Sequence, residues 1–183
     1  PQMLTGKETK ISSEYYQVRN GGDIAALFGV CKALIEADDA LKALGASRVA
    51  GQDGKPKDQD NAAMVAFAAS MASADNKHVL DHDFIQEHTT GFEEFAQAAR
   101  AHRWDELERV SGLSRAEMMQ AARTYANASA VMMIYGMGLT QHLMGVENVH
   151  MVCNLALLRG NIGKPGANIC AVRGHSNVQG QRT

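Results

Sequence analysis

Residues suited to chemistry gather in a few polar segments of this chain. The first is Gly136-Met137-Gly138-Leu139-Thr140-Gln141-His142, directly after the apolar run Ala130 to Tyr135. In open α/β sheets, ligands bind beyond the carboxyl ends of strands, where glycine lets them approach the backbone. Two glycines equally suit a plain strand-to-helix turn, and the residues alone leave both uses open. The segment is not a dinucleotide fingerprint. Gln141 stands where the third glycine of G-x-G-x-x-G would fall, and no acidic residue closes a following strand. The second segment runs from Arg159 to Gly166 and continues as Arg173-Gly174-His175-Ser176-Asn177-Val178-Gln179-Gly180. Its arginines and backbone amides suit an anion such as phosphate, and the competing reading is a solvated tail.

A third group is His78, His82 and His88. His78 and His82 have the i,i+4 spacing that zinc favours on a helix, with Asp81 and Asp83 close by. No H-E-x-x-H occurs, the step to His88 fits no standard set, and Asp81 reads as a helix cap. The expectation is therefore solvated helix ends and no metal ligand. Cys31, Cys153 and Cys170 form no C-x-x-C pair, so the chain supplies neither an iron–sulfur motif nor a zinc knuckle. Cys31 and Cys153 read as small core residues, and nothing marks Cys170 as activated.

The elements that must position these groups are mostly helical. The 183 residues are 45% hydrophobic and 21% charged, enough for one core. No apolar run approaches the ~18 residues of a membrane span. Net charge is −2 without a Lys/Arg-rich run, which gives nucleic-acid binding no electrostatic support. With no secretory leader, reduced thiols in a cytoplasmic protein are expected. The chain opens at Pro1 and stops after a Gly/Asn/Gln-rich run, which suggests a piece of a longer polypeptide.

Tyr15 to Val18 has strand character before a Gly21-Gly22 turn. Asp23 then caps an amphipathic helix, with Ile24, Leu27, Cys31, Leu34 and Ile35 on its apolar stripe and Gly45 as its stop. Residues 51–61 read as a mobile loop, and Ala62 to Ala74 as a weak helix. Short helices follow over 83–89 and 92–102 and from near Trp104. The Ser114/Glu117 capping box opens a helix over 115–127. Ala130 to Tyr135 reads as a buried parallel strand, and a helix over 145–158 should bury Val146, Val149, Val152, Cys153 and Leu157. The whole predicts a helix-rich α/β fold, part of a Rossmann-like αβα sandwich with a short parallel sheet and helices on both faces.

Three ordered blocks carry a family resemblance. Residues 135–183 (YGMGLTQH through RGHSNVQGQRT) resemble the closing part of the cofactor-cradling domain of molybdopterin oxidoreductase alpha subunits. These are formate dehydrogenase-like members of the dimethyl sulfoxide reductase superfamily. Gln17 to Leu27 is similar to that superfamily's Pro-Gly-Thr-Asp-x-Ala-Leu element, and Asp83 to Phe92 to its Phe-Ile-x-x-His-Thr-x-Gly-Phe segment.

The resemblance implies a subunit several times this length. It would hold molybdenum or tungsten between two molybdopterin guanine dinucleotides, with a [4Fe–4S] cluster and the metal's protein ligand upstream of Pro1. Residues 1–183 would be a portion of its guanine dinucleotide-binding domain, with 160–183 lining the cofactor. By motif position, Gly21, Asp23, Met137, Gly138 and Gln141 would contact a guanine dinucleotide. Arg173 matches the arginine beside the metal that handles anionic substrate, and Gly174 and His175 would line the pterin, His175 also as a proton relay. Departures are His175 where formate dehydrogenases carry Gln, Ala171 for a Pro, and Gln181 for an Asp. Formate is the leading substrate, with the rest of the alpha subunit and an electron-transfer partner completing the system. The piece alone is expected to hold neither molybdenum nor cluster and to be inactive. The other readings are a nicotinamide-binding domain, disfavoured by the missing glycine and acid, and a ligand-free helical interaction domain.

Overall fold

The computed structural model of the chain describes residues 12–49, 59–71 and 78–172. Its centre is α1 (Asp23–Val49), against which α2 (Gln59–Ala69), α4 (Phe92–Ala101), α5 (Trp104–Ser111), α6 (Arg115–Asn127) and α8 (Gly145–Leu158) all pack. Two short helices, α3 (His82–His88) and α7 (Met137–Thr140), lie between them. Strands β1 (Met132–Tyr135) and β2 (Asn168–Ala171) pair in parallel, with Met132 opposite Asn168 and Tyr135 opposite Ala171. The α/β class holds, with helix dominating. The two-stranded parallel sheet is as short as predicted.

The sequence reads α1 as amphipathic, yet it is buried on nearly every side. Cys31, Ala33, Leu34, Ile35 and Ala37 are all in the core, together with the charged Lys32 and Asp38. Surrounding helices cover each face, so no polar stripe is needed over this stretch. Gly29 lets α6 approach: a Cβ there would lie 2.2 Å from the sulfur of the buried Met118. Gly45 does not stop the helix. It lacks a left-handed φ, and α1 runs on to Val49.

The charged groups inside are partnered. Lys32 Nζ donates to the carbonyls of Ala99 (2.8 Å) and Arg100 (3.1 Å) and pairs with Glu36 at 2.7 Å. It thereby neutralises the negative C-terminal end of α4. The Ser114/Glu117 capping box forms as read.

Other expectations are corrected. Tyr15 to Val18 forms no strand and pairs with none among the described residues. Glu14 instead accepts from Gln120 and Thr124 on α6, while the Arg19 amide donates to Ser111 O. Side-chain anchoring to a helix thus replaces a sheet ladder. On α8 the buried stripe is Asn148, Met151, Val152, Leu155, Ala156 and Leu158. Val146 is 66% exposed, and Val149, Cys153 and Leu157 are half-buried. The apolar residues exceed what one face can hold, and contact with α1 selects which of them turn inward. α2 starts at Gln59, within the stretch read as a loop, while 51–58 and 72–77 lie outside the described residues. No described helix is long and apolar enough to cross a membrane.

Candidate functional site

The parallel pairing of β1 and β2 sets the carboxyl ends of both strands side by side. The Val172 amide donates to Tyr135 O at 2.7 Å, and a Cβ on Gly136 would sit 3.5 Å from Val172 O. The Gly136-Met137-Gly138 turn and the chain leading into Arg173 therefore leave the same sheet edge. Ligands of parallel sheets bind at such an edge. Arg173, Gly174 and His175 themselves lie outside the described residues.

The turn is firmly built. Gly136 caps α7, and the Gln141 amide closes it on Met137 O at 2.8 Å. Asn148, buried on α8, donates from Nδ2 to Leu139 O at 2.8 Å, and His142 Nε2 contacts Gly138 O at 2.7 Å. Gly145 is required at the next corner, because a Cβ there would lie 2.2 Å from Thr140 O. Held this way, Met137, Gly138 and Gln141 face outward, and Gln141 Nε2 lies 3.7 Å from Met137 Sδ. Nothing stands within 4 Å of a Cβ on Gly138, so the backbone is open there.

The strand expected to be buried is not. Ile134 is 68% exposed, and Met132, Met137, Leu143, Met144, Val146 and Val172 are exposed around it. Met133 packs against the helical core while Met132 and Ile134, on the opposite face of the strand, are exposed, so helix cover is seen on one face of β1 among the described residues.

Gly21 and Asp23 sit at the start of α1, with Gly21 in a left-handed turn at φ 77°. Gly21 lines an apolar cleft of about 360 Å³ with Ile24, Phe28, His102, Leu107 and Val110. That cleft includes no residue of the β1–α7 turn.

Arg159, read as an anion binder, is used structurally. Its guanidinium donates to the carbonyls of Val79 and Ala126, tying the end of α8 to α6. Asn161 is buried and donates to the Tyr125 hydroxyl at 2.8 Å, while that hydroxyl donates to Leu155 O at 2.7 Å. Burial, only partly offset by Asn161, pushes the Tyr125 pKa up to about 12.

The histidines also differ from their sequence reading. His78 precedes α3, so it shares no helical face with His82, and His88 stands apart beside Glu87. Both His78 and His82 instead converge on Asp38 of α1, which no sequence spacing indicated. Asp38 Oδ1 accepts from the amides of Val79 (2.8 Å) and Leu80 (3.2 Å), and Oδ2 contacts His82 Nε2 (2.8 Å) and Lys42 Nζ (3.1 Å). His78 Nδ1 is 3.9 Å from Oδ1. Burial pushes the Asp38 carboxyl up, but the Leu80 amide, His82 and Lys42 outweigh it and hold the pKa below its ordinary value.

Against this geometry, the family described as molybdopterin oxidoreductase matches residues 5–182. The chain belongs to the molybdopterin oxidoreductase family. Protein YdeP of Escherichia coli K12 is 43% identical over 182 residues, covering 100% of this chain and 20% of that protein. The uncharacterized oxidoreductase Rv2900c of Mycobacterium tuberculosis is 32% identical over 180 residues, 98% of this chain and 19% of its own length. Formate dehydrogenase H of Escherichia coli K12 is 41% identical over 104 residues, 57% of this chain and 14% of that enzyme. The chain thus spans about a fifth of the length of the first two relatives. For a molybdopterin oxidoreductase segment, the open edge after β1 is the feature to explain.

Proposed function

We propose that residues 1–183 form part of the pterin-nucleotide-binding domain of a formate dehydrogenase-like oxidoreductase. The whole subunit would catalyse two-electron oxidation of formate or a related small anionic substrate. The observation that carries this reading is the shared sheet edge. The parallel register brings the Gly136–Gln141 turn next to Val172, the residue that precedes Arg173 in the chain. The residues fit the group: Gly138 leaves an unobstructed backbone face, and Met137 and Gln141 flank it with one apolar and one amide contact. A bound bis-(molybdopterin guanine dinucleotide) molybdenum or tungsten centre would accept the two electrons, and a [4Fe–4S] cluster and an electron-transfer partner would pass them on.

This chain's own residues bind and orient. Gly138 and Gln141 hold a nucleotide portion, as do Gly21 and Asp23 at their separate corner. Arg173 holds the anionic substrate by charge-assisted, bidentate hydrogen bonds, which an always-protonated guanidinium provides at any physiological pH. His175 moves a proton near neutral pH. The exposed apolar residues around β1 meet the remainder of the subunit, completing the αβα sandwich, and the enzyme is cytoplasmic.

The test is steady-state formate oxidation by the full-length protein carrying Arg173→Lys or Arg173→Ala, with molybdenum content measured in parallel. Removing one charge-assisted contact in a water-poor site is expected to lower turnover by about 30- to 1000-fold with metal content intact. Wild-type turnover in both variants refutes the role. Loss of metal together with activity makes Arg173 a cofactor anchor instead.

A further inference from the structure

We propose that Asp38, His78 and His82 form a zinc-type divalent-cation site in the helical body, separate from the open sheet edge. Two imidazoles and one carboxylate are a zinc donor set, and one ligand atom from each falls within 4.8 Å of the others. In a tetrahedral site with ligand bonds of about 2.0–2.1 Å, ligand atoms stand about 3.3 Å apart. His82 Nε2 lies 2.8 Å from Asp38 Oδ2 and His78 Nδ1 3.9 Å from Oδ1, so the two imidazoles reach different oxygens of one carboxylate, and a shared cation would draw the half-exposed His78 inward by side-chain rotation.

The surroundings favour a built site over a chance contact. The Val79 and Leu80 amides hold Oδ1, fixing the carboxylate plane and leaving Oδ2 to His82 and Lys42. Such outer contacts orient first ligands at metal centres. The two rings meet edge to face with centroids 4.9 Å apart, beside the same carboxylate. Lys42 is the competing cation on Oδ2, and with its side chain 46% exposed it can swing into solvent when a metal arrives. His78 is half-exposed, which leaves water access for a fourth ligand. Bound metal would pin the stretch from His78 to α3 onto α1. The inference stands on these residues alone and needs neither pterin nor substrate.

Zinc chloride is titrated into the protein by equilibrium dialysis with elemental analysis, which separates zinc from molybdenum and iron. One zinc per chain is expected in the wild type, together with a rise in thermal midpoint that grows with zinc concentration. His78→Ala and His82→Gln should each weaken binding by more than about 100-fold, since even outer-sphere losses cost 10–100-fold. Lys42→Gln should tighten binding by removing the competitor. Affinity should fall as pH drops below the imidazole range, because ligating histidine must be neutral. His78→Ala alters a half-exposed side chain and should fold as the wild type does, checked by circular dichroism. No zinc uptake by the wild type overturns the site, as does uptake unchanged in both histidine variants. Asp38 would then serve only as a hydrogen-bonded anchor.

Discussion

The helical body around α1 and the sheet end around β1 treat water in opposite ways. In the body, even charged groups are taken inside and given partners. Lys32 ends on two carbonyls and Glu36, and Asp38 on two amides, His82 and Lys42. At the sheet end, Ile134, Val146 and Leu143 stand largely in solvent, Leu143 completely so. A two-stranded sheet is marginal by itself, and exposed apolar side chains in this number are what an interface uses. The body is therefore a finished core, while the sheet end is a surface shaped for something else. The open turn after β1 and the apolar side chains beside it belong to one such surface.

The largest expected effect lies in the body. Leu34 is fully buried at the middle of α1. Leu34→Ala should cost about 3–5 kcal/mol, the range for leucine truncations whose surroundings cannot collapse. Urea unfolding followed by circular dichroism reads this directly. A cost near 1 kcal/mol would mean that the helices around α1 are loosely packed and would break the contrast.

How much of this was legible in the sequence follows the range of the interactions. The capping box at Ser114 and the Asp81 cap, whose carboxylate accepts from the Phe84 amide at 3.1 Å, span three residues and were readable. So was the strand over Met132–Tyr135, since a short apolar run ending at glycine has few other uses. The Asp38 cluster was not, because Asp38 lies 40 or more residues from His78 and His82 and meets them only through packing. The buried stripe of α8 was misread for the same reason: contact with α1 decides which apolar residues turn inward. Within the candidate site, the Gly136 turn was legible and holds its expected place. Its proximity to Val172 depends on strand pairing, which no local pattern encodes.

At the sheet end, the first point of rigidity is Gly145. A Cβ there would meet backbone atoms of Thr140, which cannot rotate away as a side chain would. Gly145→Ala should cost about 1–3 kcal/mol by overpacking and shift the α7–α8 corner. Protection of the Leu139 and Gln141 amides in hydrogen exchange would fall with it. An unchanged protein would show that this end is as loose as its exposure suggests.

Tyr125 sharpens the comparison through pH. Its folded pKa of about 12 lies above the ordinary value of 10.0, so the folded state keeps a proton that the unfolded chain releases. This contribution is complete below about pH 10 and is lost as pH rises toward 12. Tyr16, also raised to about 12 by burial and by Glu14, adds a smaller slope in the same window because it is less enclosed. Tyr125→Phe should cost about 1–2 kcal/mol at neutral pH by stranding Leu155 O and Asn161, and should remove most of the alkaline slope. Stability measured at pH 8, 10 and 11 in both proteins separates the two contributions.

The smallest effect is expected at Ile134, where its size depends on what surrounds the chain. With 68% of the side chain exposed, little apolar area is removed from water on folding. Ile134→Ser should then change the stability of residues 1–183 by less than about 0.5 kcal/mol, as for other surface substitutions. In the full-length protein the proposed completion of the sandwich covers this side chain, and burying an isoleucine contributes about 1.5–3 kcal/mol. The same substitution should there lower the thermal midpoint measurably. Equal, negligible effects in both contexts would mean that the sheet face stays solvent-exposed in the whole subunit, and the apolar surface around β1 would need another occupant.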